Sequence, residues 1–468
     1  MTTVLHWNGV LLELSRRDYS QGYASGEHNG PTRTSRAMAI AHLALYNAVV
    51  AVERPGTHYK GLSGKLAAGP FPKDHLGEII DGAACAVLSK LYPRQTQLIQ
   101  DSIACNRSTM SFEHGLGIGE TVFADRDPLK DGSDAPDTRP TRGSVPYGKH
   151  RADPYDAPQM LLGPKWGSVK RFTGLHNQKL AAFPGAEDSD YLSDAHYLRD
   201  YVEVMKLGGR APGSRTPEQS LIGVYWAYDG AQGLGVPPRL YNQITRSIIS
   251  RRGLTDVVET AELFAKVNVA MADAGIDAWH HKFVHNLWRP VVGIRNEPKP
   301  HGEATPDSFW APFGAPQTNK PGTGPRTPPF PAYPSGHATF GAALFQVLRL
   351  HFRGEPITTK EVLDAQATDN RDPEFSFVSD ELDGISQDTD GSVRTRHKKS
   401  FSNYPYAIQE NAISRVYLGV HWRFDGLPKQ DATTKEELDV GGVPLGLKVG
   451  IEAHNFFHGL ISSGNAAP

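Results

Sequence analysis

Apolar side chains recur every three to four positions over long stretches of this chain, the spacing that buries one face of a helix, and strict alternation is scarce. The pattern predicts a helix over 36–52, where RAMAIAHLALYNAVVAV is apolar on nearly every side, and another over 77–92. Further helices are predicted over 93–104, 114–126, 195–207, 217–228, 240–252, 255–288, 336–352, 407–418 and 445–457. A chain patterned this way is all-α, built of helical bundles and read as two four-helix-bundle-like halves, 1–210 and 211–468.

Three segments interrupt the helical pattern. Residues 125–158 are rich in Pro, Gly and charge, and 370–404 are polar with an acidic, Gly-containing stretch. The segment 298–334 carries eleven prolines, which forces an extended, irregular path. Such segments can be plain surface connections, but long loops in compact proteins are often functional. The proline-rich one runs directly into the most specific motif of the chain.

Composition changes this picture in three ways. The net charge is −2, so no global field favours nucleic acid or an acidic membrane, and an anion site must come from a local cluster of cations. The two cysteines, Cys85 and Cys105, exclude a disulfide framework and a cysteine-ligated metal cluster, and leave one bridge open. No run approaches about 18 consecutive apolar residues, and the first 17 residues lack the basic and apolar regions of a signal peptide. The expectation is a soluble protein, cytoplasmic or exported without a leader in this chain.

Candidate chemistry concentrates in three blocks. Lys282 and Arg289 are seven residues apart, a spacing that puts both on one helical face together with Trp279. Pro334-Ser335-Gly336-His337 opens an apolar helix, with Ser335 as N-cap and free N–H groups suited to an anion. Ser414-Arg415 is followed by Gly419, His421 and Asp425, and a break at Gly419 would bring Arg415 and His421 together. Taken singly, each block has an ordinary explanation: a solvated basic face, a capped helix start, a structural histidine beside a surface carboxylate. Taken together they supply three fixed cations, several planar donors and two imidazoles, which suit a tetrahedral or trigonal oxyanion.

The twelve residues Lys282, Arg289-Pro290, Pro334 to His337, Ser414-Arg415, Gly419, His421 and Asp425 at their internal spacings resemble the signature of the vanadium-dependent haloperoxidases and the related type 2 phosphatidic acid phosphatases. Trp226 to Gly230, Pro329 to Phe340 and Val393 to Arg396 look like the fungal vanadium chloroperoxidase type. The resemblance spans the chain from about residue 200 onward, and the first 200 residues match only as helices. It implies vanadate as cofactor, without heme, and hydrogen peroxide, halide ions and a small organic acceptor as partners. His421 would bond the metal. Lys282, Arg289, Ser335, the Gly336 N–H and Arg415 would hydrogen-bond the vanadate oxygens. His337 would take a proton from peroxide, Lys282 would polarise the peroxide, and Asp229 would pair with Arg415. Phe330 and Trp279 imply a dry pocket able to turn over chloride as well as bromide and iodide.

The main alternative is a soluble acid phosphatase or phosphotransferase with His421 as nucleophile, since phosphate and vanadate are near-isosteric. A non-catalytic oxyanion-storage protein would need the cage without His337. His281 and His285 have the helical spacing of metal ligands but no matched third ligand, and Asp388 to Gly391 resembles a calcium loop without its closing Glu. Whether copies of the chain associate stays open.

Overall fold

The computed structural model describes residues 3–464 except 24–25, 56, 60–72, 106, 140–144, 175–176, 181–182, 184–194, 212, 297–304, 325 and 431–436. Among the described residues the helices are α1 (Thr3–Asp18), α2 (Pro31–Glu53), α3 (Leu76–Leu91), α4 (Thr96–Asp101), α5 (Met110–Asp125), α6 (Pro128–Asp131), α7 (Ala195–Leu207) and α8 (Pro217–Tyr225). They continue with α9 (Pro237–Arg252), α10 (Val257–His285), α11 (Pro290–Asn296), α12 (Gly336–Arg353), α13 (Thr359–Asp364), α14 (Tyr404–Tyr417), α15 (Arg423–Gly426) and α16 (Gly442–Gly464). The fold is the expected all-α class. The extended pieces are two small antiparallel ribbons, β1 (Phe375–Val378) with β2 (Lys398–Phe401) and β3 (Lys429–Gln430) with β4 (Glu437–Leu438).

Helix α10 is the pillar of the molecule. Asp256 caps its N-terminus by accepting from Glu259 N, and its apolar faces pack against α2, α12 and α16. Nearly all of α2 is buried, which explains why its sequence is apolar all round. By length and apolarity α2 could also cross a membrane, but 94% of its apolar window lies inside the protein, as in a core helix. Both cysteines are free thiols.

Two differences from the sequence reading concern the site. The helix predicted to run to Trp288 stops at His285, because Asn286 adopts the left-handed conformation (φ 52°) and its N–H returns to Lys282 O. Lys282 and Arg289 therefore do not share a helical face, and Arg289 sits at the entrance to α11. The helix expected over 93–104 is the shorter Thr96–Asp101, and α1, α6, α11, α13 and α15 fall outside the predicted helices. Gly419 does break the chain after α14: its φ is 70°, and a side chain there would collide with the backbone of Gly208.

Candidate active site

Four chain segments deliver the site. The last turns of α10 bring Trp279 and Lys282, and the turn after Asn286 brings Arg289. The proline-rich segment crosses this turn, with Ala332 N donating to Leu287 O, and delivers Phe330 before entering α12 through Ser335, Gly336 and His337. The end of α14 supplies Arg415, and the Gly419 break turns the chain so that His421 faces it. A backbone bond from Ser335 N to Asp425 O (2.7 Å) ties the second block to the third.

All three cations are buried. Arg289 donates from Nε to Phe330 O (2.9 Å) and from NH1 to Val420 O (2.8 Å), and its NH2 is buried with no hydrogen-bond partner. Arg415 donates from NH2 to both oxygens of Asp229 (2.7 and 2.9 Å), while its Nε and NH1 are buried without partners. Burial, opposed in part by Asp425, lowers the Arg289 guanidinium to about 9. Lys282 is arranged differently: its Nζ donates to Pro331 O (2.9 Å), Ala332 O (3.0 Å) and Pro334 O. Burial, then Arg289, pushes its proton affinity far down, but three carbonyl acceptors require three N–H donors, and the geometry is that of an ammonium.

His421 has a defined tautomer. Its Nε2 lies 2.9 Å from Arg289 NH1, which can only donate, so Nε2 is unprotonated. Its Nδ1 lies 2.8 Å from Asp425 Oδ2 and gives that carboxylate its proton. Burial, followed by the three cations, holds His421 well below the ordinary histidine range. Burial likewise pushes the Asp425 carboxyl up to about 8, with Lys282 and Arg289 pulling the other way.

His337 gives its Nε2 proton to Ala227 O (2.5 Å), which leaves Nδ1 with the ring's lone pair. Its Nε2 is also 4.0 Å from Asp229, the partner of Arg415. Burial, then Arg415, lowers His337 to about 3, so the ring is neutral near pH 7. Tyr241 Oη and Asn411 Nδ2 both donate to His337 O (2.9 Å each) and fix the first turn of α12; neither residue had been singled out from sequence. Ser335 accepts weakly from Ala338 N (3.5 Å) as the α12 cap. A side chain at Gly336 would press on the Trp279 ring, so glycine keeps the backbone open there.

These groups border a cavity of about 460 Å³ whose wall includes Gly336, His337, Arg415, His421, Trp279 and Phe330. The Trp279 and Phe330 rings are 4.6 Å apart, and Lys282 Nζ lies 5.5 and 5.1 Å from their centres. The carbonyl-bound Lys282 and the buried Arg289 stand behind this wall. Three guanidinium nitrogens without hydrogen-bond partners, and a His421 nitrogen whose lone pair meets only the Arg289 guanidinium, suit an oxyanion with an electrophilic centre.

The remaining candidates lie elsewhere. His281 Nε2 meets Gln178 O (2.8 Å) and stacks on His285 at 6.0 Å; among the described residues no group of three His, Cys, Asp or Glu is placed to hold a metal. Asp388 and Asp390 accept from nearby Thr389 N and Ser392 N.

Comparisons with known proteins identify the family. Residues 262–435 match the family model for the second helical-bundle domain of vanadium chloroperoxidase. Vanadium chloroperoxidase of Curvularia inaequalis is 31% identical, over 97% of this chain and 89% of the relative. Among solved structures, a bacterial vanadium-dependent iodoperoxidase superposes with a TM-score of 0.62 at 19% identity, covering 97% of this chain and 94% of the other. A holo-type bacterial vanadium-dependent chloroperoxidase gives 0.63 at 15% identity and 96% coverage of both chains. The chain thus belongs to the vanadium-dependent haloperoxidase family.

Proposed function

We propose that this protein is a vanadate-dependent haloperoxidase that oxidises bromide, iodide and chloride. Halide, hydrogen peroxide and one proton give hypohalous acid and water. The observation that carries the reading is the set of idle buried donors, Arg289 Nη2 with Arg415 Nε and Nη1, on two guanidinium groups of which one meets the unprotonated Nε2 of His421. Such groups are costly to bury unpaired, and an oxyanion held at this wall would satisfy them. When bound, vanadate supplies a +5 Lewis-acid centre that makes peroxide oxygen electrophilic without changing oxidation state and without heme.

The protein's own groups then have distinct tasks. His421 Nε2 would hold the metal in place of its contact with Arg289, with Asp425 fixing the tautomer that keeps this nitrogen unprotonated. Arg289, Arg415, Ser335 and the Gly336 N–H would hold the oxygens, and Asp229 keeps Arg415 oriented. Neutral His337 takes a proton from peroxide as it enters, and the charge of Lys282 stabilises the negative charge that develops during oxygen transfer. The Trp279–Phe330 wall excludes water from the halide, which strengthens its attraction to the cations and favours chloride turnover. A water occupies about 30 Å³ of liquid, so the cavity also has room for a small organic acceptor.

The direct test is bromination of a phenol dye by purified protein and peroxide, with and without added orthovanadate. Turnover that depends on vanadate supports the reading. Absence of bromination by protein saturated with vanadate would overturn it.

A further inference from the structure

The polar segment 370–404 contains the Val393 to Arg396 motif, and the chemistry above leaves both without a task. In the structure this segment contacts Tyr228, a residue of the cavity wall. Asp380 and Glu381 form a short 3-10 turn there, and Glu381 is fully buried. Its Oε1 accepts from Tyr228 N (3.1 Å), and its Oε2 accepts from Thr318 Oγ1 and Arg394 NH1 (2.8 Å). Its neighbour Asp380 donates from its backbone N to Tyr228 Oη (2.8 Å). Two consecutive residues thus hold Tyr228 at both its backbone and its hydroxyl.

Tyr228 is an unusual residue to hold. Its φ is 46°, a left-handed conformation that a bulky side chain seldom adopts without outside restraint. On either side of it stand the two backbone-fixed contacts of the site. Ala227 O accepts the His337 proton, and Asp229 accepts from Arg415. Thr318, the second group held by Glu381, is flanked by Gln317 and Lys320 of the cavity wall. Arg394 fills the other side of the carboxylate and also donates to Thr318 Oγ1 (3.0 Å).

We propose that Glu381 is a positioning residue: by holding the strained Tyr228 turn it sets the orientation of His337 and Arg415 together, and Arg394 holds Glu381 in place. This rests on the reading of His337 and Arg415 as oxyanion-site residues. The position needs an acceptor that reaches Tyr228 N; an aliphatic residue would leave that N–H buried and unpaired, free to relax out of its left-handed conformation.

The test compares the wild type with Glu381→Ala, Glu381→Asp and Glu381→Gln. Three quantities are read: orthovanadate affinity by calorimetry, thermal melting, and the ring-nitrogen NMR signals of His337 in metal-free protein, assigned by difference with His337→Asn. Glu381→Ala is expected to weaken orthovanadate binding at least tenfold, about 1.4 kcal/mol, and to shift the His337 signals. Glu381→Asp keeps the charge beside Arg394 but falls short of Tyr228 N, and is expected to do the same; it carries the test if the alanine variant does not fold. Glu381→Gln keeps an oxygen for Tyr228 N and is expected within about threefold of wild type on the same scale. Folded Ala or Asp variants with unchanged affinity and unchanged His337 signals would overturn the proposal. If the wild type binds no orthovanadate, the oxyanion-site reading fails instead, and the His337 signals alone decide the clamp.

Discussion

Two knots of buried charge hang from α10, and they are built on opposite principles. At its C-terminal end Lys282 joins Arg289 and Arg415 against the carboxylates of Asp229 and Asp425. Roughly one and a half to two and a half turns earlier on the helix, Asp277 and Asp273 join Glu452 around the single guanidinium of Arg171. In the acidic knot the carboxyl groups are met by chain groups, Asp277 Oδ1 by the Arg171 guanidinium as an ion pair at 3.2 Å. Asp273 accepts from Phe172 N, Thr173 N and Thr173 Oγ1, Asp277 from Gln178 N, and Glu452 from Arg171 and Gln178. That knot binds the connection 171–178 to α10 and α16, and burial pushes Asp277 up to about 8, so it keeps its proton near neutrality. In the basic knot three guanidinium donors remain idle. Buried charge that answers itself is structural, whereas buried charge with unused donors awaits a ligand.

The contrast can be broken most severely at Arg415. Arg415→Leu strands the Asp229 carboxylate in the interior. It is expected to cost about 3–5 kcal/mol of stability in denaturant unfolding and to abolish tight orthovanadate binding. A stable variant that still binds orthovanadate normally would show that the idle donors are not the site.

The acidic knot makes a prediction about pH. Asp277 has an ordinary value of 3.8 and is raised to about 8 in the fold. Between those values the folded protein holds a proton that the unfolded chain has released, so this group makes stability fall as pH rises through that window and level off above it. Asp277→Asn removes that slope. The difference in unfolding free energy between variant and wild type should grow in the variant's favour by more than about 1.4 kcal/mol from pH 4 to 8, the equivalent of one pKa unit. A difference independent of pH would contradict the assignment.

The smallest effect is expected at the cavity wall. Phe330→His wets the surface beside Trp279 and should lower the ratio of chloride to bromide turnover several-fold, about 1 kcal/mol, while bromination persists. An unchanged ratio would remove Phe330 from the account of halide preference.

The sequence carried the site more clearly than the path to it. Fixed spacings inside three short blocks singled out Lys282, Arg289, Ser335, Gly336, Arg415 and His421, which the fold brings into one buried region, and Gly419 marked the break between Arg415 and His421. The helical face assigned to Lys282 and Arg289 was wrong because one residue, Asn286, takes a left-handed cap that periodicity cannot reveal. Helix α1 was passed over although Val4, Trp7, Leu11 and Leu14 repeat at helical spacing and are buried. The Glu381 clamp was illegible for another reason. It joins residues 153 positions apart through a carboxylate and a backbone N–H, and backbone donors leave no mark in a sequence.

The central claim is that the idle guanidinium donors and the unprotonated His421 nitrogen form one oxyanion site, and equilibrium titration of metal-free protein with orthovanadate tests it most directly. Wild type should bind one equivalent, in competition with inorganic phosphate, and His421→Ala should lose stoichiometric vanadium by elemental analysis together with turnover. Stoichiometric vanadium and normal turnover in His421→Ala, or vanadate binding that phosphate does not oppose, would contradict the account.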